Sequence, residues 1–244
     1  MVPGRVIGIL GGMGPEATLD LCRQILCLTP ADRDQDHVPV LIYSNPKIPD
    51  RTLALTRGGE SPLPYLVDAA KILQEGGAGI IAMPCNAAHH YLAEIRREIS
   101  IPFLDMVEET CLVLRRRLPR AKTAGLIATL GTLGSRVYER ALLKEGIRML
   151  APDEAGQQRI EWGIARVKAG DCGRPTQEAF QSVGERLAGA GADAVILGCT
   201  EVPLAFDPEE VRYPVLNATR ILAEAAVAWA LAKEPWITPR QSRR

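Results

Sequence analysis

Two short stretches constrain the fold more than any other feature of this chain. Met83-Pro84-Cys85-Asn86 follows the apolar run Gly79-Ile80-Ile81-Ala82, and Leu197-Gly198-Cys199-Thr200-Glu201 follows Asp193-Ala194-Val195-Ile196. Each run is preceded by a small-residue turn, Gly76-Gly77-Ala78 in one case and Gly189-Ala190-Gly191-Ala192 in the other. Short apolar runs bounded by such turns read as buried parallel strands. The two cysteines stand 114 positions apart. A second pair, Ile7 to Gly14 and Ala124 to Gly131, aligns at an offset of 117. Two correspondences at nearly one offset imply two similar halves, each with a cysteine at the carboxyl end of a strand.

The pattern between these landmarks alternates strands with helices. A strand from Arg5 to Leu10 enters Gly11-Gly12-Met13-Gly14-Pro15, where proline and Glu16 suit a first helical turn. That helix runs to Leu28, with Leu19, Cys22, Ile25 and Leu26 proposed as its apolar face. A strand over 38–43 leads to the polar loop 44–52, and a helix over 62–75 to the Cys85 strand. A helix over 86–99, a short strand over 103–106 and a helix over 108–118 complete the first half. The second half repeats the order, with helices over 154–169 and 176–188. A final helix over 218–232 is expected to return to the first half. The fold class is therefore α/β, two pseudo-symmetric doubly wound parallel-sheet lobes with the site in the cleft between them. The first lobe takes residues 1–117 and 217–244, the second 118–216.

Composition narrows the function. A chain of 244 residues that is 47% hydrophobic and formally neutral offers no field for nucleic acid or an anionic membrane. Only Arg240, Arg243 and Arg244 form a basic end, read as a solvated tail. No stretch of about 18 apolar residues is present to span a membrane, and the N-terminal order is not that of a signal peptide. Six cysteines without C-x-x-C spacing then mean reduced thiols in a cytoplasmic protein. Cys22, Cys27 and Cys111 read as helix-face packing residues, Cys172 as a loop residue. His37, His89 and His90 read as surface or packing residues, because adjacent helical positions cannot grip one metal; no metal is expected.

Gly12-Met13-Gly14-Pro15-Glu16-Ala17 matches a dinucleotide fingerprint. The second strand ends Tyr43-Ser44-Asn45 without the acid that holds a ribose, which argues against nicotinamide. A glycine turn offering backbone N–H groups to a smaller anion is the better reading. Cys85 and Cys199 carry the chemistry. In open α/β sheets ligands sit beyond the carboxyl ends of strands. If each cysteine also begins a helix, its thiol is acidified and a carboxylate is attracted. Two thiols flanking one cleft supply what inversion at carbon requires, one removing a proton and the other delivering one from the opposite face.

The blocks 8–18, Ile48-Pro49-Asp50-Arg51-Thr52, Met83 to Asn86, Ala128 to Thr132 and Gly198 to Glu201 together resemble the cofactor-independent aspartate/glutamate racemase family, and the resemblance spans essentially the whole chain. It implies a two-lobed homodimeric amino-acid racemase acting on aspartate or glutamate with no cofactor. It makes Cys85 and Cys199 the catalytic pair. Gly12, Met13, Arg51, Asn86, Thr129, Thr132, Lys168 and Thr200 become substrate-binding residues, with Arg51 and Lys168 on the side-chain carboxylate. Asp50 and Glu201 stand beside the active segments and would tune or orient the thiols; solvent-facing roles are the alternative. Two positions depart from the family pattern: Ala87 stands where a threonine is usual, and Asn217 where an acid is usual. The rival readings are other reactions on the same scaffold, among them hydantoin racemisation, maleate isomerisation and arylmalonate decarboxylation. A non-catalytic small-molecule binder is the rival from another class.

Overall fold

The computed structural model describes residues 5–232. In chain order the strands and α-helices are β1 (Ile7–Gly11), α1 (Pro15–Leu28), β2 (Val40–Ser44), α2 (Arg51–Arg57), α3 (Leu63–Glu75), β3 (Ile80–Ala82), α4 (Leu92–Glu98), α5 (Met106–Arg117), β4 (Thr123–Ile127), α6 (Leu130–Ser135), α7 (Val137–Lys144), β5 (Arg148–Leu150), α8 (Glu154–Lys168), α9 (Arg174–Gly189), β6 (Ala194–Leu197), β7 (Val215–Asn217) and α10 (Ala218–Ala230). The strands form two parallel sheets, ordered β2-β1-β3 and β5-β4-β6-β7. The first three positions of each sheet follow the same topological rule. The fourth place of the first sheet is held only by an isolated bridge from Ile81 to Phe103, where the sequence suggested a strand.

The duplication extends to packing. Gly8 on β1 and Gly125 on β4 occupy the same place in their sheets. A Cβ on Gly8 would lie 2.8 Å from that of Ala78 and 3.5 Å from that of Leu73; one on Gly125 would meet Leu187 at 3.0 Å and Ala192 at 3.4 Å. The loss of one methyl group thus lets a helix and the turn after it lie close on the central strand in both halves. Strand side chains alternate between faces. In the first half Ile7, Ile9, Ile80 and Ala82 pack against α1 and α10, while Leu10 and Ile81 pack against α3 and α4. In the second, Ala124, Leu126 and Ile196 face α5 and α7, and Ile127, Val195 and Leu197 face α8 and α9.

Two helices bind the halves together. α10 returns to the first sheet and packs on α1 and α5. α5, which the sequence order assigns to the first half, buries Val107, Cys111 and Leu114 in the core of the second sheet while Met106 stays in the first. On α1 the apolar face differs from the expected one: Thr18, Leu21 and Ile25 are buried, whereas Leu19 and Leu26 are exposed, because the contact with α10 is set by the 18-21-25 stripe. Cys27 is exposed rather than packed, and Cys172 lies exposed between α8 and α9. Among the described residues no helix is long and apolar enough to cross a membrane. The basic end at Arg240, Arg243 and Arg244, and the part of the first-lobe assignment past residue 232, lie outside the described residues.

Candidate functional site

Cys85 and Cys199 line one cavity of about 350 Å³ beyond the carboxyl ends of β3 and β6. Met13, Asp50, Arg51, Asn86, Thr129, Thr132, Lys168, Thr200 and Glu201 line it too, as do Thr52, Ala87 and Gly198, which the sequence reading had not placed among the site residues. Gly12 lines only the adjoining hollow of about 900 Å³, which shares Asp50, Arg51, Lys168 and Glu201 with the cavity. Its amide is already committed, donating to Thr18 Oγ1 at 2.8 Å, so it offers no free N–H to an anion.

Both cysteines are buried, each about 7% exposed, but their surroundings differ. Cys199 Sγ donates to Glu201 Oε2 at 3.0 Å, and Thr200 Oγ1 donates to the same oxygen at 3.3 Å. Burial first, and the Glu201 carboxylate next to it, push the Cys199 thiol well above its ordinary value. Neither cysteine begins an α-helix, contrary to the sequence expectation. A single 3-10 turn follows each, at Ala87–Tyr91 and at Val202–Ala205. One turn aligns too few peptide dipoles to acidify a thiol, and at Cys199 desolvation prevails.

The backbone around Cys85 is fixed by a buried histidine. His89 Nδ1 donates to the Cys85 carbonyl at 2.8 Å, and Met106 N–H donates to Nε2 at 3.1 Å. An amide donor on Nε2 leaves the ring proton on Nδ1. Burial holds the His89 pKa below its usual value, in keeping with that neutral form. The packing role read from sequence is thus a specific one.

Polar groups on the cavity wall fall into two sets. Thr129 caps α6, its Oγ1 accepting from Thr132 N at 3.2 Å and lying 3.1 Å from Thr132 Oγ1. Asp50 caps α2 by accepting from Leu53 N at 2.8 Å, a structural task that accounts for its place beside Arg51. The second set keeps donors in reserve. Arg51 Nη1 donates to the carbonyls of Ile48 (3.1 Å) and Pro49 (2.9 Å), which anchor the guanidinium, while its buried Nε has no partner. Asn86 Oδ1 accepts from Tyr138 at 2.6 Å, and its buried Nδ2 has no partner. An unpaired buried amide costs about 1–3 kcal/mol, which a ligand bearing acceptor oxygens would offset. Lys168, in the last turn of α8, supplies a cation at the junction of cavity and hollow.

Asn217, where the family pattern has an acid, caps α10 by accepting from Arg220 N at 3.1 Å. A carboxylate would serve the same amide, so the departure has a physical account in capping. A larger cavity of about 660 Å³ lies elsewhere, between α5 and α7, walled by Leu104, Cys111, Ala141 and Lys144. It holds one cysteine, whose thiol is pushed far up by burial, and no second thiol faces it.

Paired sheets of matching topology with one cysteine at the end of the corresponding strand in each define a class of two-lobed α/β racemases. The chain belongs to the Asp/Glu/Hydantoin racemase family, whose sequence pattern it matches over residues 10–226. Among its relatives, the broad specificity amino-acid racemase RacX of Bacillus subtilis (strain 168) is 31% identical over 237 residues, covering 93% of this chain and 99% of that protein. Among solved structures, the aspartate racemase of Picrophilus torridus superposes with a TM-score of 0.78 at 31% identity, covering 93% of this chain and 94% of the other. The glutamate racemase of Francisella tularensis subsp. tularensis SCHU S4, solved with D-glutamate, superposes at 0.72 with 15% identity over 96% and 83% of the two chains, a likeness of fold alone.

Proposed function

We propose that this chain racemises an acidic α-amino acid, aspartate or glutamate, by proton transfer between two thiols. The observation that carries the reading is that Cys85 and Cys199, from equivalent places in the two halves, face one cavity whose wall also carries Arg51, Lys168 and Asn86. One thiolate takes the α-proton and becomes a thiol, and the electron pair left on carbon takes the proton of the opposite thiol. The configuration inverts and the two cysteines exchange protonation states, so the transfers balance without a further reagent. Cys199 rests as the thiol, held there by burial and Glu201. In the direction that begins with Cys85 as base, Cys199 is the acid. In the reverse direction Cys199 must be the thiolate and Cys85 the thiol: Glu201 Oε2, at 3.0 Å, takes the Cys199 proton and passes it to solvent, which returns one to Cys85.

An α-proton flanked by ammonium and carboxylate is much less acidic than a thiol, so donors fixed in advance within a closed site must stabilise the carbanion. The free Asn86 Nδ2 supplies such a donor for the α-carboxylate, and the Thr129 and Thr132 hydroxyls can donate to that carboxylate or accept from the ammonium. Arg51 Nε and the Lys168 ammonium take the side-chain carboxylate. The reading includes a homodimer, on the strength of the family resemblance, and a cytoplasmic location, on the strength of cysteines without C-x-x-C spacing.

Broader substrate use is a second reading. It is favoured by Ala87, a methyl group on the cavity wall in place of a hydroxyl, and by the similarity to a broad specificity racemase. Proton NMR in D₂O separates the two. With L-aspartate, L-glutamate and a set of neutral amino acids, loss of the α-proton signal for the diacids alone supports the first. Loss for neutral amino acids as well supports the second. Arg51→Ala is expected to raise KM for the diacid about 10–100-fold. No α-exchange with any amino acid by folded, reduced protein overturns both.

A further inference from the structure

Tyr138 belongs to neither the cavity wall nor the family motifs quoted above, yet it touches the segments of both cysteines. It sits on α7 in the second half and is only 1% exposed. Its hydroxyl crosses to the first half and donates to Asn86 Oδ1 at 2.6 Å, next to Cys85. Its ring lies over Gly198, next to Cys199: a Cβ there would come within 3.3 Å of Tyr138 Cε2, and within 2.5 Å of Leu126 Cδ1. Gly198 therefore leaves the space that the ring and Leu126 occupy.

The hydrogen bond decides which way the Asn86 amide faces. A phenol in this contact donates its one proton, so the amide presents its carbonyl oxygen to Tyr138. The NH₂ group is then turned away from Tyr138, and it is the buried Nδ2 left without a protein partner. Asn86 is itself part of the cavity wall. We infer that Tyr138 is a positioning residue: it locks the Asn86 amide so that Nδ2 donates to the substrate carboxylate, and through Gly198 it holds that donor in register with Cys199. The inference rests on the racemase reading and adds to it the group that orients one of its binding donors.

Tyr138→Phe removes the hydroxyl and keeps the ring on Gly198. The test measures kcat and KM for racemisation and the melting temperature in four proteins: wild type, Tyr138→Phe, Asn86→Ala and the double variant. The expected result is a fall in kcat/KM of about 10–100-fold in Tyr138→Phe. In the Asn86→Ala background the same change should have less than about a 2-fold effect, since the group through which Tyr138 acts is gone. Asn86→Asp keeps the oxygen that Tyr138 addresses but replaces the NH₂ by a second oxygen. It should lose at least as much activity as Asn86→Ala while melting near the wild type. An equal loss from Tyr138→Phe in both backgrounds overturns the inference, as does an Asn86→Asp protein as active as wild type. If the wild type itself exchanges no α-proton, the racemase reading fails and this inference with it. A wild type that turns over, with additive variants, removes the inference alone.

Discussion

The segments that carry Cys85 and Cys199 hold matching positions in matching sheets, yet the residues after the cysteine differ, in charge at the second position: Ala87 in one, Glu201 in the other. Glu201 is 4% exposed and accepts a hydrogen bond from the Cys199 thiol, while Ala87 presents only a methyl group. On the Cys85 side the nearby titratable group is His89, turned away from the sulfur to hold the backbone. Two matching segments thus place their thiols alike and surround them with different groups. Symmetry of the fold does not require symmetry of the chemistry.

The comparison is tested most severely by removing each thiol in turn. Cys85→Ser and Cys199→Ser should each lower racemisation by about 10³-fold or more. Each should keep solvent exchange for only one enantiomer, the two variants for opposite ones. Equal exchange of both enantiomers by one variant would show that the faces are not divided between the thiols. Glu201→Gln comes next, with an expected loss in kcat of about 10–100-fold, larger in the direction that uses Cys199 as base. The sign for the thiol itself is opposite. The Glu201 carboxylate helps raise the Cys199 pKa, so its neutral replacement lowers that pKa and enlarges the thiolate fraction at a given pH. Alkylation of Cys199 by iodoacetamide, followed by mass spectrometry across pH, should therefore speed up as turnover slows. An unchanged alkylation profile would remove Glu201 from the account of Cys199. The smallest effect is expected from Ala87→Thr. The cavity wall there gains a hydroxyl, and the ratio of diacid to neutral amino-acid turnover should rise by only a few fold. A large change would make Ala87 the second determinant of the asymmetry.

Much of this was legible in the sequence, for reasons that differ by element. The strand ends at Ala82 and Leu197 could be read because continuous apolar runs between small-residue turns have few alternatives. The final helix could be read to within two residues, and its return to the first sheet follows from its apolar stripe. After Cys85 the helical spacing of Ala88, Leu92 and Ile95 predicts an α-helix and does not reveal that the first turn is 3-10. Leu19 and Leu26 read as buried in the sequence because a helix with apolar residues on two sides gives two stripes, and only the α10 contact chooses between them. The Tyr138 to Asn86 bond joins positions 52 apart and leaves no local trace.

The return of α10 to the first sheet also bears on how the protein is made. Ile7, Ile9, Ile80 and Ala82 share a cluster with Ala218, Leu222, Ala223 and Ala226. A nascent chain on the ribosome holds the first three strands long before residues 218–230 emerge. Until then that face of its first sheet is covered by α1 but not by α10, and the remainder is the kind of apolar surface that chaperones shield and that aggregates when they do not. The earliest-made sheet is thus among the last to be completed, since α5 gives its core Met106 and turns Val107, Cys111 and Leu114 to the second one. The first strands to be synthesised share their apolar face with the last helix of the described residues.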